Sequence, residues 1–427
     1  MIQESPPPVR REIPHGGLPE STLPFLMDPY GFIPRVCRSK QTDLFETRIQ
    51  FEKTICMSGT EAAEVFYDTS RFSRANAAPS RIQKTLFGEG GVQGLDGDAH
   101  LRRKSMFLEL VEPDRVRHLS EIFERHWELM LDDWESRGRL CLYDEMRCLL
   151  TRAVCEWAGV PLSEEEEPKL IEDLTSLFAD AGSVGPRHWK SRRARRRTER
   201  WAGELLQKVR NEALEAPAGS ALLAIAQHRD ENGKQLDLHV ASVELLNVLR
   251  PTVAVSVYIA FAAVALNKYP VTRDKLIERR EGYDRAFAQE VRRYYPFFPV
   301  VAARVSETFE WKGYTFPEGR LVVLDLYGTN HDPKDWDRPD AFLPERFPGA
   351  SMCPFHFIPQ GGGDPLRNHR CPGEGVAIEL IQVAARFLTL RLDYTLPSQD
   401  LSVDRKRLPA LPKSKVILSE VRRSGRF

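Results

Sequence analysis

The sequence predicts a mainly α-helical protein with a small β region. Apolar residues recur at three- and four-residue spacing through most of the 427 residues, and strand-like patterns are confined to a few short stretches. One apolar run, PTVAVSVYIAFAAVAL (251–266), reads as a buried core helix, too short to span a bilayer comfortably, so no membrane span is expected. A composition that is 42% hydrophobic, with no solenoid repeat and no long linker, favours a single domain over residues 21–427. The proline-rich opening MIQESPPPVRREIPHGG carries no signal-like apolar segment, so residues 1–20 read as a flexible lead-in and a cytoplasmic location is expected.

Taken in order, helical patterns cover 100–135 with a stop at Gly138, then 144–158, 164–182, 188–214 and 237–268. The basic stretch RHWKSRRARRRTER (187–200) places Trp189 and Trp201 on one apolar stripe with arginines between, which reads as a solvated helix face. No nucleic-acid-reading motif accompanies it, and 61 basic residues balance 61 acidic ones, so no nucleic-acid partner is expected. The clearest strand signal is FEWKGYTFPEGRLVVLDLY (309–327), where Lys-Gly and Pro-Glu-Gly separate β-prone runs; weaker ones are LDYTLP (392–397) and SKVILSEV (414–421).

Seven widely spread cysteines without a CxxC pair argue against a disulfide framework or a zinc site. Cys371 differs from the rest. It follows a Gly-rich loop, PQGGG (359–363), and precedes Pro372, Gly373 and an amphipathic helix, whose unpaired amides and dipole favour a thiolate able to bind a soft metal or haem iron. Read alone, the same pattern also fits a structural thiol at a helix start. Upstream, Glu290 and Arg293 stand three apart in QEVRRYYPFFP, and PERF (344–347) adds Arg346; the three form either a buried charge-assisted network or an ordinary surface pair with a bystander.

In the order EVRR (290–293), PERF (344–347), HRCPGE (369–374), these segments resemble the haem-thiolate cytochrome P-450 superfamily. The resemblance implies that fold, with haem b (iron protoporphyrin IX) lying between a long central helix and the loop of its axial ligand, Cys371. Phe357 precedes Cys371 by fourteen residues where the general pattern has an aromatic at seven. That longer loop is similar to the bacterial fatty-acid peroxygenase branch. DPYGFI (28–33), IQKTLFGEGGVQGLDGDAH (82–100), LTRAVCEWAGVPL (150–162), NVLRPTVAV (247–255) and RLPALPKS (407–414) extend the likeness along nearly the whole chain. The chain departs from the branch at Pro365-Leu366-Arg367-Asn368 and at Gly375.

The resemblance implies a reaction in which hydrogen peroxide hydroxylates a long-chain fatty acid. Arg250 binds the substrate carboxylate, which acts as the general acid–base group, and Pro251 opens the helix over the haem. Gln93 matches a position where hydroxylating members carry Gln, the Phe297-Phe298 pair resembles α-hydroxylating relatives, and Phe87, beside Leu86 in the expected substrate pocket, resembles β-hydroxylating ones. Hydroxylation at the α carbon is the expectation, with β-hydroxylation or decarboxylation to a terminal alkene as alternatives. Arg74, His100, Lys104, Tyr295 and Arg370 match positions near the haem propionates. Thr252 has no acidic neighbour to complete the acid–alcohol pair of monooxygenases, so no obligatory redox partner is expected; a redox-partner-dependent monooxygenase and a non-catalytic haem sensor are the rival readings.

Overall fold

The protein is described by a computed structural model covering residues 11–347, 349 and 352–425. Helices dominate it. The pattern at 100–135 forms two helices, Gly97–Leu110 and Pro113–Arg137, because Pro113 lacks the N–H needed to continue the first and suits the opening turn of the second. Gly138 ends the latter in the left-handed region at φ 60°. Leu142–Ala158, Glu167–Ala179, Pro186–Arg210 and Leu238–Lys268 follow the remaining patterns.

Leu238–Lys268 is the central helix. From Ala241 to Leu266 every residue but Pro251 is buried, and it packs against Leu142–Ala158, Pro186–Arg210 and Glu374–Arg386. Its length and apolarity would allow it to cross a membrane, yet 94% of its most apolar window is buried inside the protein.

The strand signal at 309–327 divides between two sheets. Phe309–Trp311 and Tyr314–Phe316 form a hairpin whose turn, Lys312-Gly313, has positive φ at both positions, the geometry that matches strand twist. Leu321–Asp325, buried throughout, joins a five-stranded sheet in the order Leu44–Ile49, Glu52–Met57, Leu321–Asp325, Val300–Val305, Phe72–Ser73. Leu392–Thr395 and Ile417–Arg423 pair as the C-terminal signals predict, with Arg139–Cys141 on the other side.

Two expectations need correction. Residues 1–10 of the lead-in lie outside the described residues, but Arg11 donates its amide to Gly313 O at 2.8 Å, and from Pro14 the chain is held along an edge strand: the Glu46 amide donates to Pro14 O at 2.8 Å and the Gly16 amide to Glu46 O at 2.9 Å. Prolines are tolerated there because an edge leaves half of its N–H positions unused. In the basic helix, Trp189 is 60% exposed whereas Arg195 is buried at 2%. The face that packs is made of Ser191, Ala194, Thr198 and Ala202, small residues that let helices approach closely, and Arg195 among them is neutralised by Glu199 one turn on, at 2.5 Å.

Candidate active site

Cys371 lies at the mouth of the helix Glu374–Arg386, with Gly373 as its N-cap. The loop folds back on itself: the Cys371 amide donates to Gln360 O at 2.9 Å, and Gln360 Nε2 donates to the Cys371 sulfur at 3.7 Å. Arg292 braces this arrangement, donating through Nε to Gln360 Oε1 at 2.9 Å and pairing with Glu374, which also receives Arg370 at 2.6 Å. Burial pushes the Cys371 thiol up, against the pull of Lys104 and the Gly373 amide. The thiolate form therefore calls for a bound metal cation. Asn368, one of the unusual loop residues, ties the loop down by donating to Tyr67 O at 2.6 Å, while a side chain at Gly375 would meet only open space.

Around this sulfur the structure gathers four of the five residues expected near propionates. Lys104 donates to the carbonyl of Arg370, and His100 stacks on His369 with ring centroids 4.0 Å apart. Arg74 donates to Ala302 O at 2.7 Å and lies over the Phe66 ring. Burial pushes the Lys104 ammonium down to about 8; burial, then His369 and Lys104, push His100 down to about 3, so its imidazole is neutral at pH 7. Neither Arg74 nor Lys104 makes an ion pair among the described residues, although both are buried. Two unpaired buried cations beside a soft ligand match the two carboxylates and the iron of protoporphyrin. Tyr295 stands apart from this group. Its ring is stacked on Phe261 at 4.5 Å and packs near Phe342, where its hydroxyl is buried without a partner among the described residues.

Glu290, Arg293 and Arg346 form the buried network. Glu290 and Arg293 pair through both oxygens at 2.7 and 2.8 Å, Arg346 approaches Glu290 at 3.3 Å, and the Leu343 amide adds a bond at 2.8 Å.

On the opposite side, the central helix presents Arg250, 6% exposed. Its Nη2 donates to Asn247 Oδ1 at 3.2 Å and its Nε is buried without a partner among the described residues. Burial, then the Arg195 guanidinium, push Arg250 down to about 9, so it remains charged at neutral pH. Pro251 sits inside the helix without ending it; its missing N–H leaves the Asn247 carbonyl without its usual donor. Thr252 donates its hydroxyl to Val248 O at 3.0 Å, within its own helix. Gln93, in the short turn Val92–Gly94, accepts from Asn247 Nδ2 at 3.3 Å.

Leu86 is buried and Phe87 half-buried at the end of the turn Gln83–Phe87, and Arg195 Nη1 approaches Leu86 O at 3.4 Å. The loop then passes Gly88, φ 85°, where a Cβ would lie 2.0 Å from Arg195 Nη2 and 2.5 Å from Val243. Phe297 is stacked on Tyr258 at 4.3 Å, and Phe298 packs edge-on to Phe297 at 4.9 Å. Sequence reasoning missed Glu244, Arg103, Arg195, Gln360 and Arg292. For Glu244 a signal existed: it is the one acidic residue in the apolar stretch 240–266.

A cysteine poised to ligate iron, buried cations for two propionates and a facing helix with an uncompensated charge define a haem-thiolate oxidoreductase. The family model of cytochrome P450 matches residues 282–413. A solved variant of cytochrome P450SP alpha (CYP152B1) is 50% identical and superposes with a TM-score of 0.93 over 96% of this chain and 100% of that one. Cytochrome P450EX alpha (CYP152N1), solved with myristic acid, is 44% identical with a TM-score of 0.94 over 97% and 100% of the two chains. Ligand-free cytochrome P450 OleT is 32% identical with a TM-score of 0.93 over 96% and 99%. Among curated sequences, cytochrome P450 71A8 of Mentha piperita is 25% identical over 355 residues, 73% of this chain and 70% of the relative. The chain belongs to the cytochrome P450 family, in its fatty-acid peroxygenase branch, and its cofactor is haem b.

Proposed function

We propose that the protein uses hydrogen peroxide to hydroxylate long-chain fatty acids at the α carbon, RCH2COO⁻ + H2O2 → RCH(OH)COO⁻ + H2O, in the cytoplasm and without an obligatory redox partner. Arg250 carries the proposal: a buried guanidinium whose one hydrogen-bond partner among the described residues is a neutral amide. An uncompensated buried charge is costly, and a substrate carboxylate supplies the missing counter-ion in the fork geometry that guanidinium favours. Held by its head group, the acid presents its first carbons to the reacting centre, and the same carboxylate oxygen takes and returns the peroxide proton. Haem b, ligated by Cys371, supplies the iron at which the O–O bond is cleaved. The myristic acid bound by cytochrome P450EX alpha supports the substrate class.

The groups near Arg250 support peroxide over reductive oxygen activation. Thr252 is engaged with its own helix, and Glu244 accepts three hydrogen bonds, so neither offers a free acid–alcohol relay. Gln93 favours hydroxylation over decarboxylation and the Phe297-Phe298 pair favours the α carbon; Phe87 favours the β carbon, which makes β-hydroxylation the second reading. Purified holoenzyme, myristic acid and peroxide decide between them by mass spectrometry, with 2-hydroxymyristate as the expected product. 3-Hydroxymyristate or tridecene would move the site of attack, and no product without a reductase would sink the peroxygenase reading.

A further inference from the structure

We infer that Glu244 is a positioning residue for the carboxylate anchor, acting through the side-chain amide of Asn247. Glu244, Asn247 and Arg250 stand at successive three-residue steps along the central helix, where side chains are neighbours. Glu244 is fully buried. Its Oε1 accepts from Arg103 Nη1 at 2.5 Å and from the Val92 amide at 2.9 Å, and its Oε2 accepts from Asn247 Nδ2 at 2.9 Å. Paired with Arg103, the carboxylate only accepts, and the Arg250 guanidinium only donates. The Asn247 amide between them has one allowed orientation, nitrogen toward Glu244 and oxygen toward Arg250.

Two consequences reach the reacting groups. Asn247 Oδ1 holds Arg250 by a single nitrogen at 3.2 Å, which steers the guanidinium while leaving the rest of its fork for a carboxylate. Asn247 Nδ2 also donates to Gln93 Oε1 at 3.3 Å, so the Gln93 amide is oriented with its oxygen toward Asn247 and its nitrogen away from it. Glu244 anchors the same turn a second time through the Val92 amide, next to Gln93 in the chain. One buried carboxylate thus sets the direction of both groups assigned to the substrate head, and the inference rests on the proposed role of Arg250.

Glu244→Gln makes the amide orientation ambiguous, and Glu244→Gln with Arg103→Gln does so without stranding a buried guanidinium. Asn247→Leu deletes the amide and leaves the ion pair intact. Fatty-acid Kd is read from the change in haem absorbance of the holoenzyme on titration, and product ratio by mass spectrometry. The expected result is a Kd for myristic acid weakened about tenfold or more, as for lost hydrogen bonds to charged groups. Lauric and palmitic acids should weaken by the same factor, 1-tetradecanol should not, and the ratio of 2- to 3-hydroxy product should move. Wild-type Kd and product ratio in the haem-loaded double variant or in Asn247→Leu would overturn the inference, as would equal weakening for acid and alcohol. Arg250→Leu separates the two claims: if it leaves acid binding unchanged, the anchor itself is wrong, whereas a loss there with none in the Asn247 and Glu244 variants removes only the positioning role.

Discussion

Arg293 and Arg250 are both buried arginines on helices, and they are treated in opposite ways. Arg293 spends its five N–H groups on five bonds: two to Glu290 and three to the carbonyls of Asn330, Pro339 and Ala341. Among the described residues Arg250 makes one bond, to a neutral amide. A saturated guanidinium with its own carboxylate is structural material, fixing where the segment before the cysteine loop runs. An unsaturated one is a charge held in readiness, and the stability forgone in the empty state becomes affinity for an anion. Burial is alike in the two; the completeness of the partner set tells scaffold from site.

Exchange experiments can break that contrast. The largest effect is expected at Arg293→Ala, which leaves buried Glu290 with only the longer Arg346 contact and the Leu343 amide and should cost about 3 kcal/mol of stability, measured as lost haem loading and a lowered Tm. Arg250→Leu should act in the other sense, with kcat/KM for fatty acids falling about 100-fold or more while Tm holds or rises, because the uncompensated charge is gone. Unchanged turnover in that variant would make the two arginines equivalent. Arg250→Lys keeps the charge without the fork and should lose roughly tenfold in kcat/KM, seen as a raised KM. The smallest effect is a pH slope. His331 is half-buried with Nδ1 2.9 Å from Tyr327 O, and desolvation, then Arg293, push it down to about 3. The unfolded chain takes up this proton near pH 6.5 and the native one does not, so the stabilisation is complete above about pH 6.5 and declines as pH falls toward 3, by at most ~1.4 kcal/mol per pH unit. Thermal unfolding between pH 7 and pH 4 should show a shallower acid loss in His331→Phe than in the parent.

Much of this was legible in the chain. The helices follow from apolar spacing, and the Cys371 loop, the Glu290–Arg293 pair and Arg250 are singled out by the segments that together carry the family resemblance, not by any one of them alone. What stayed hidden depends on partners distant in sequence. Leu44–Ile49 and Val300–Val305 are short strands without a clean alternation, stabilised by the sheet they join. Arg195 looked solvent-bound because its periodicity could not reveal that Glu199 would neutralise it against the loop at Leu86. Tyr295 was assigned by position in a motif, whereas its stacking on Phe261 is a property of packing. Glu244 acquires meaning only once Arg103, Val92 and Asn247, from three segments, converge on it.

Gly88 carries a consequence for how such an enzyme can diversify. With Arg195 and Val243 closed around it, no side chain fits without shifting the loop that carries Leu86 and Phe87. The backbone under those two residues is therefore a fixed rail, and in the substrate pocket proposed for them chain-length range would change through the size of the side chains mounted on it. A library randomising Leu86 and Phe87 should yield many folded variants with new chain-length preferences, and one randomising Gly88 should yield mostly inactive protein.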